Sequence, residues 1–187
     1  MRQLTNRRRL RGVGSFALQL ARLQGVRTVI ASCSEKNRDH VLSLGATHTI
    51  DYHTQDLVQE VMQLTEQQGV TKGIDAVGGD NDILVANSLA YEGAMVELVQ
   101  LVRPERYRDS FLRGLTFHQL SLGSGHRHGP ESASAMIHAG AAFNQQLEQG
   151  KIQVPLSQVI SIEEVADALE SLRRQRTVGK IVMHNAP

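Results

Sequence analysis

The 187-residue sequence has no tryptophan, a single cysteine and only 4% aromatic residues. With Cys33 as the one thiol, neither an internal disulfide nor a cysteine-rich zinc site can form, and a reducing cytoplasm is the expected location. So few aromatic side chains leave little surface on which nucleic-acid bases could stack. These absences disfavour disulfide-stabilised proteins, cysteine-rich zinc proteins and base-stacking proteins.

Long apolar runs are also missing. No run approaches the roughly 20 residues needed to cross a bilayer. The arginine-containing start lacks the apolar stretch of a secretory signal. We therefore expect no membrane partner. Hydrophobic residues at 41% and charged residues at 21% are ordinary for a globular protein, and the length suits one domain with a sizeable core.

Acidic residues are absent from the first 34 positions, which hold seven arginines. Beyond them, the other 13 basic residues are outnumbered by all 19 acidic ones. We interpret residues 1–11 as a basic tail that is disordered or foreign to the fold. A weaker alternative is that this tail binds nucleic acid through its positive charge. Such binding would not depend on the nucleotide sequence, and specific nucleic-acid binding is not expected.

Beyond the tail, strand-like and helix-like segments alternate. A β-branched run such as 27–31 is typical of a strand. Thr54 is expected to cap one helix, and Ser161 with Glu164 forms the capping box of another. This alternation predicts βαβ units around a mostly parallel sheet with helices on both faces. The expected fold is a Rossmann-type, doubly wound α/β domain spanning residues 12–187.

Six motifs occur in order along this domain: GVGSFALQLA, IASCSEKN, LGA with IDY, DAVGG, GAMV and GKIV. Together they resemble the medium-chain dehydrogenase/reductase family, of the quinone-oxidoreductase and zinc-type alcohol-dehydrogenase kind. In that family the first motif is a glycine-rich turn that leads into a helix and approaches the pyrophosphate of a dinucleotide. The resemblance implies an NADP(H)-dependent oxidoreductase, present here as its cofactor-binding half.

One departure from the family pattern lies at the glycine-rich turn. The first two glycine positions fall on Arg9 and Arg11, and only the third falls on a glycine, Gly14. Arginines so dense cannot occupy the centre of a covered sheet, because unpaired buried charges are costly. We therefore expect a first strand that is compromised or missing. Whether the cofactor still binds beside these arginines is left open.

The resemblance also implies which residues contact the cofactor. Many NAD enzymes have an acid at the end of the second strand, whereas hydroxyls and a lysine stand here and suit a 2′-phosphate. NADPH is therefore expected rather than NADH. The alternative for Ser34 is a helix cap, and the alternative for Lys36 is a solvated position. Asn37 is not assigned a role in cofactor binding. The candidate cofactor-binding residues are Gly12, Val13, Gly14, Ser32, Ser34, Lys36, Tyr52, Val77 and Gly78.

No residue is proposed as catalytic. In the family, the substrate-binding residues and any catalytic zinc come mostly from a separate N-terminal domain, so no zinc is expected, and a separate domain or chain is a candidate partner. Strands near 94–99 and 115–122 commonly lie towards a sheet edge that pairs two subunits, which suggests a homodimer. The alternative function is a non-catalytic structural or dimerisation module. His126 and His128 suggest a solvated loop, and Cys33 a buried small hydrophobe.

Overall fold

A computed structural model of the chain describes residues 2–5, 12–174 and 179–184, and within them the chain forms eight strands and six α-helices. The strands are β1 Arg2–Thr5, β2 Thr28–Cys33, β3 His48–Asp51, β4 Val70–Asp75, β5 Leu89–Glu97, β6 Thr116–Gln119, β7 Leu156–Ile160 and β8 Lys180–Met183. The α-helices are α1 Val13–Leu23, α2 Arg38–Ser43, α3 Leu57–Leu64, α4 Asn81–Asn87, α5 Pro130–Glu148 and α6 Val165–Arg173. Short 3-10 helices cover Glu35–Asn37, Pro104–Arg106 and Leu122–His128.

Six strands form one parallel sheet in the order β3-β2-β1-β4-β5-β6. The chain moves outward from β1 to β3, returns to the centre, and continues from β4 to β6 on the other side. Each of the first four strands is followed by a helix, as parallel neighbours require. This arrangement confirms the predicted Rossmann-type, doubly wound fold.

Helices cover both faces of this sheet, and strand β2 shows why. Successive side chains of a strand point to opposite faces. Val29 and Ala31 are buried in one cluster with Leu18 of α1 and Val41 of α2. Ile30 is buried in the other cluster, among residues of α3 and α4. The near-continuous apolar run of β2 therefore serves two cores, one on each face.

The centre of the sheet is occupied by β1, which pairs in parallel with β2 on one side and β4 on the other. The first strand is therefore present. Residues 2–5 form part of the sheet, whereas a tail outside the fold was expected. The described part of this strand is Arg2–Thr5, and it contains none of the dense arginines at positions 7–11. Arg9 and Arg11 lie outside the described residues.

The last two strands form a small parallel sheet of their own, in the order β7-β8. Helix α1, which packs on the main sheet, also contacts α5 and the loop that precedes β7. Phe16 packs edge-on against Phe143 of α5, with 5.1 Å between ring centroids. Gln19 exchanges two hydrogen bonds with the backbone of Gln153, at 3.0 and 2.8 Å. Of the helices described, none has the length and apolar character needed to cross a membrane.

Candidate functional site

The carboxyl ends of the six parallel strands lie along one edge of the main sheet. Successive strands are added on one side of β1 up to β3 and on its other side from β4 onward, so the strand order switches between β1 and β4. In open α/β sheets such a switch point forms a crevice that binds ligands. The sequence-predicted residues all lie in segments at or after the carboxyl ends of β1, β2, β3 and β4. They are Gly12, Val13, Gly14, Ser32, Ser34, Lys36, Tyr52, Val77 and Gly78.

Helix α1 begins at this edge, directly after Gly12. Gly12 occupies the N-cap position with φ −162° and ψ −108°, and no side chain caps the helix. The first helical hydrogen bond runs from Phe16 N to Gly12 O, at 3.4 Å. By helical geometry the amides of Val13 and Gly14 point out of the helix end. Together with the helix dipole they make a positive end suited to an anion.

A lysine from the second sheet stands beside this helix end. A Cβ placed on Gly12 would lie 3.6 Å from Lys180 Nζ. The amide of Lys180 donates to Pro155 O at 2.7 Å. Gly179 has φ +87°, and a Cβ there would collide with the same carbonyl, so glycine permits this close crossing of the chain. Lys180 belongs to the GKIV motif, but it was not predicted as a site residue, because only the fold brings it to α1.

The end of β2 carries the hydroxyls and the lysine that were predicted to select a phosphate. Ser32 is buried, and within the described structure its Oγ has no hydrogen-bond partner. Ser34 Oγ accepts a hydrogen bond from Asn37 Nδ2 at 3.1 Å and makes no side-chain cap bond, although Ser34 holds the N-cap position. Lys36 is exposed in the turn that follows, and Tyr52 is half-buried after β3. Of the predicted polar groups, Lys36 is therefore the most accessible.

Cys33 lies between these serines and is buried. Burial, helped by the charges of Asp51 and Glu35, raises the pKa of the thiol to about 11. The thiol is therefore protonated at neutral pH, and a protonated thiol is a poor nucleophile. This agrees with the interpretation of Cys33 as a small hydrophobe.

The loop after β4 is held from within by Asp75. Asp75 Oδ1 accepts hydrogen bonds from Val77 N at 2.8 Å and from Gly78 N at 3.2 Å. Gly78 has φ +80°, and a Cβ there would lie 2.7 Å from Val99 Cγ1. Both amides are thus engaged by Asp75, and the Val77 side chain between strand and helix is half-buried.

The connection between β5 and β6 supports the same loop from the other side. Arg103 Nη2 and Gln100 Nε2 each donate to Gly79 O at 2.8 Å. The buried carboxylate of Asp82 fixes Arg103, accepting from its Nε at 2.9 Å and from Tyr107 OH at 2.9 Å. Burial opposes the charge of Asp82, but these hydrogen bonds outweigh it and hold the pKa of Asp82 below its usual value. This network was not predicted from the sequence, because its members are far apart along the chain.

Across the part of the chain that the structure describes, no group of three or more His, Cys, Asp or Glu side chains is placed to hold a metal ion. His128 is exposed at the end of a 3-10 helix. The side chain of His126 lies outside the described structure, as do the two arginines at the expected glycine positions, Arg9 and Arg11. The described site thus consists of the α1 terminus, Lys180 and the loops after β2, β3 and β4.

Comparison with known proteins places this arrangement among dehydrogenases. The family profile described as "Zinc-binding dehydrogenase" matches residues 12–142. The synaptic vesicle membrane protein VAT-1 homolog of Homo sapiens is 27% identical over 191 residues, covering 94% of this chain and 48% of that protein. The chain thus spans about half the length of this relative.

Solved structures share the fold. A quinone oxidoreductase of Pseudomonas syringae pv. Tomato DC3000 superposes with a TM-score of 0.76 at 25% identity, covering 98% of this chain and 57% of that one. A quinone oxidoreductase of Escherichia coli, complexed with NADPH, superposes with a TM-score of 0.78 at 23% identity. The match covers 98% of this chain and 57% of that one.

Proposed function

The chain belongs to the zinc-binding dehydrogenase family, and we propose on that premise that it is the cofactor-binding half of an NADP(H)-dependent oxidoreductase of the quinone-reductase or alcohol-dehydrogenase type. One observation carries the proposal. The uncapped end of α1 opens at the switch point of the sheet, with the ammonium of Lys180 beside Gly12. A diphosphate is the ligand for which this combination of amides, dipole and cation is suited.

The residues of this edge fit a dinucleotide. Gly12 adds no side chain where the pyrophosphate would approach, Val13 and Gly14 supply amides, and Lys180 supplies a countercharge. Val77 and Gly78 would face the cofactor from the β4 loop. When bound, the nicotinamide supplies hydride transfer, and the work of this chain is to bind and orient the cofactor.

The preference for NADPH over NADH rests on the end of β2. In place of an acid, this strand ends in serine and cysteine and leads to exposed Lys36. Ser34 and Tyr52 lie in the same region, and so does Ser32, whose hydroxyl is buried. An exposed ammonium suits the additional 2′-phosphate of NADPH, which an acid would repel.

The groups that handle the substrate are proposed to come from outside this sequence, either from another segment or from a separate chain. We assign no catalytic residue here, and no zinc is expected to bind this half. A cytoplasmic location also remains a prediction.

A second candidate function is a non-catalytic structural or dimerisation module. Strand β6 lies at an edge of the main sheet with β5 as its neighbour, and exposed edge strands readily pair with a second chain. In the connection that leads to β6, Phe111 is 92% exposed and Leu112 is 74% exposed. We propose a homodimer formed through this edge, which is compatible with either function.

A thermal-shift series separates these functions. Stabilisation by NADPH but not by NADH supports the oxidoreductase half, because a ligand that binds the folded state raises its melting temperature. A dimer whose melting temperature no nucleotide changes supports the structural module. Salt-sensitive DNA binding that is lost on deleting residues 1–11 would instead support the nucleic-acid alternative.

A further inference from the structure

Two buried acids face each other at the carboxyl edge of the main sheet. Asp75 ends β4 and Glu97 ends β5, and the two residues are register partners across the parallel strands. Asp75 is 0% exposed and Glu97 is 1% exposed. Two ionised carboxylates buried side by side would repel each other strongly, since the interior screens charge poorly.

Each acid uses one oxygen to hold the loop that follows its own strand. Asp75 Oδ1 accepts from Val77 N and Gly78 N, as described above. Glu97 Oε1 accepts in the same way from Val99 N at 2.7 Å and from Gln100 N at 3.0 Å. The two loops are therefore shaped by equivalent turns, one on each neighbouring strand.

The second oxygen of each acid does not take part in these loop hydrogen bonds. Asp75 Oδ2 and Glu97 Oε2 are both buried, and within the described structure neither meets an N–H or O–H donor. The two side chains face each other across the register pair, close enough for Asp75 to raise the pKa of Glu97. Two carboxyl oxygens form a hydrogen bond only if one of them carries a proton, because carboxylate oxygens can only accept.

The surroundings offer the pair no direct countercharge among the described residues that face it. Across β6 the register partner of Glu97 is the neutral Gln119. From the β5–β6 connection comes the phenol of Tyr107, whose pKa is raised mainly by burial and also by the charges of Asp82 and Glu97. The nearest cation of that network, Arg103, is bound to Asp82.

We propose that Asp75 and Glu97 share one proton, and that this carboxyl–carboxylate hydrogen bond positions the β4 and β5 loops at the cofactor edge. Both acids are positioning residues, since they act through the loops. The proton comes from water and is lost to water. The link to cofactor binding rests on the proposed function, whereas the shared proton does not.

The proposal has a defined pH dependence. Burial raises the pKa of Glu97, the two amides of its loop lower it, and Asp75 raises it further, so that the net shift is upward from 4.5. The folded state therefore holds a proton that the unfolded chain has released. The contribution to stability is complete below about pH 4.5 and is lost as pH rises through the raised pKa of Glu97.

Denaturant unfolding of the full chain from acidic to alkaline pH tests the shared proton. In the Glu97→Gln variant, the side-chain amide can donate to Asp75 Oδ2 at every pH while its oxygen still accepts the loop amides. Between the two pKa values, the unfolding constant of the wild type should rise about tenfold per pH unit relative to that of Glu97→Gln. Glu92→Gln, an exposed change on the same strand, should keep the wild-type slope.

Equal pH slopes for the wild type and Glu97→Gln would overturn the shared proton. Should Glu97→Gln not fold, Asp75→Asn provides the reciprocal donor and should flatten the slope in the same way. Infrared spectroscopy of the unmodified protein gives a variant-free readout. A protonated carboxyl C=O band that disappears as pH rises through the same window supports the proposal, and absence of that band throughout contradicts it.

The link to the cofactor is tested separately by NADPH affinity against pH. The wild type should lose affinity over the window in which it loses stability, and Glu97→Gln should not. Parallel affinity profiles beside divergent stability profiles would overturn the positioning role and keep the shared proton. No NADPH binding by either protein at any pH would refute the proposed function and the positioning role together, while the unfolding result still decides the shared proton.

Discussion

A single ammonium group, that of Lys180, adds a full positive charge to a helix end that otherwise offers only amides and a dipole. We predict that Lys180→Met weakens NADPH binding about tenfold, the effect of losing one charge-assisted contact. Lys180→Arg should restore most of the affinity. The measurement is a calorimetric titration of each variant at constant ionic strength.

The matched control is Lys151→Met, which removes an exposed lysine from the turn after α5. It changes the net charge equally and should leave the affinity within about twofold of wild type, because exposed charges away from the ligand act weakly. Equal losses for the two variants would show that Lys180 acts only through overall charge.

Cys33 gives a second prediction at the residue scale. With its pKa raised to about 11, the folded protein should react slowly with a thiol reagent at neutral pH. The rate should climb about tenfold per pH unit towards that value, because only the thiolate reacts. Unfolding in denaturant should expose the thiol and bring back ordinary reactivity. Rapid labelling of the folded protein at neutral pH would contradict the burial and the raised pKa of Cys33.

At the scale of elements, the β4 loop depends on its first glycine more than on its second. Gly78 and Gly79 have φ of +80° and +68°, but a Cβ meets Val99 at 2.7 Å only at Gly78, with nothing within 4 Å at Gly79. Alanine at either position costs about 1–2 kcal/mol for its positive φ. Gly78→Ala should cost about 1 kcal/mol more, because Val99 is stiff and must move. Denaturant unfolding of both variants measures the difference, and equal losses would contradict this packing.

Helix boundaries show how far local sequence rules extend. Thr54 was predicted to cap α3, but the carboxylate of Asp56 does so by accepting from Gln59 N at 2.9 Å, and the prediction was wrong by two residues. Both residues are good caps, and propensity alone does not choose between neighbours. The choice depends on where the helix must start to bury Leu57.

Of the capping box predicted at Ser161 and Glu164, the structure contains one of the two hydrogen bonds. Glu164 accepts a hydrogen bond from Ser161 N at 2.8 Å, as the motif predicts. The α-helix nevertheless begins later, at Val165, and Ser161 itself is not its N-cap. The motif identified the local contact but not the boundary of the helix, which differs by a few residues from the sequence pattern.

At the scale of the whole molecule, alternating strands and helices were enough to predict the doubly wound sheet, because connection length and handedness leave few topologies. The separation of β7 and β8 into their own sheet was not predicted, since their sequences resemble those of the other strands. The roles of Lys180, Asp75 and Glu97 were missed for a related reason. Each depends on a partner that only the tertiary fold brings close.

The proposed homodimer makes a prediction about the edge strand β6. Leu120 N donates to Glu97 O at 3.0 Å, so by strand alternation the amide of Gln119 points away from β5. Gln119→Pro should remove a pairing donor and shift the protein from dimer to monomer in analytical ultracentrifugation. Gln119→Ala, which removes the side chain but keeps the amide, should remain dimeric. Identical behaviour of the two variants would place any dimer contact elsewhere.

The central claim is that the end of α1, with Lys180 beside it, holds the diphosphate of NADPH. Titration of the purified protein with NADPH, followed by the fluorescence of the reduced nicotinamide, tests it most directly. We predict saturable binding in the micromolar range, equivalent to about −8 kcal/mol, with NADH binding more weakly. The absence of any response up to millimolar NADPH would contradict the claim.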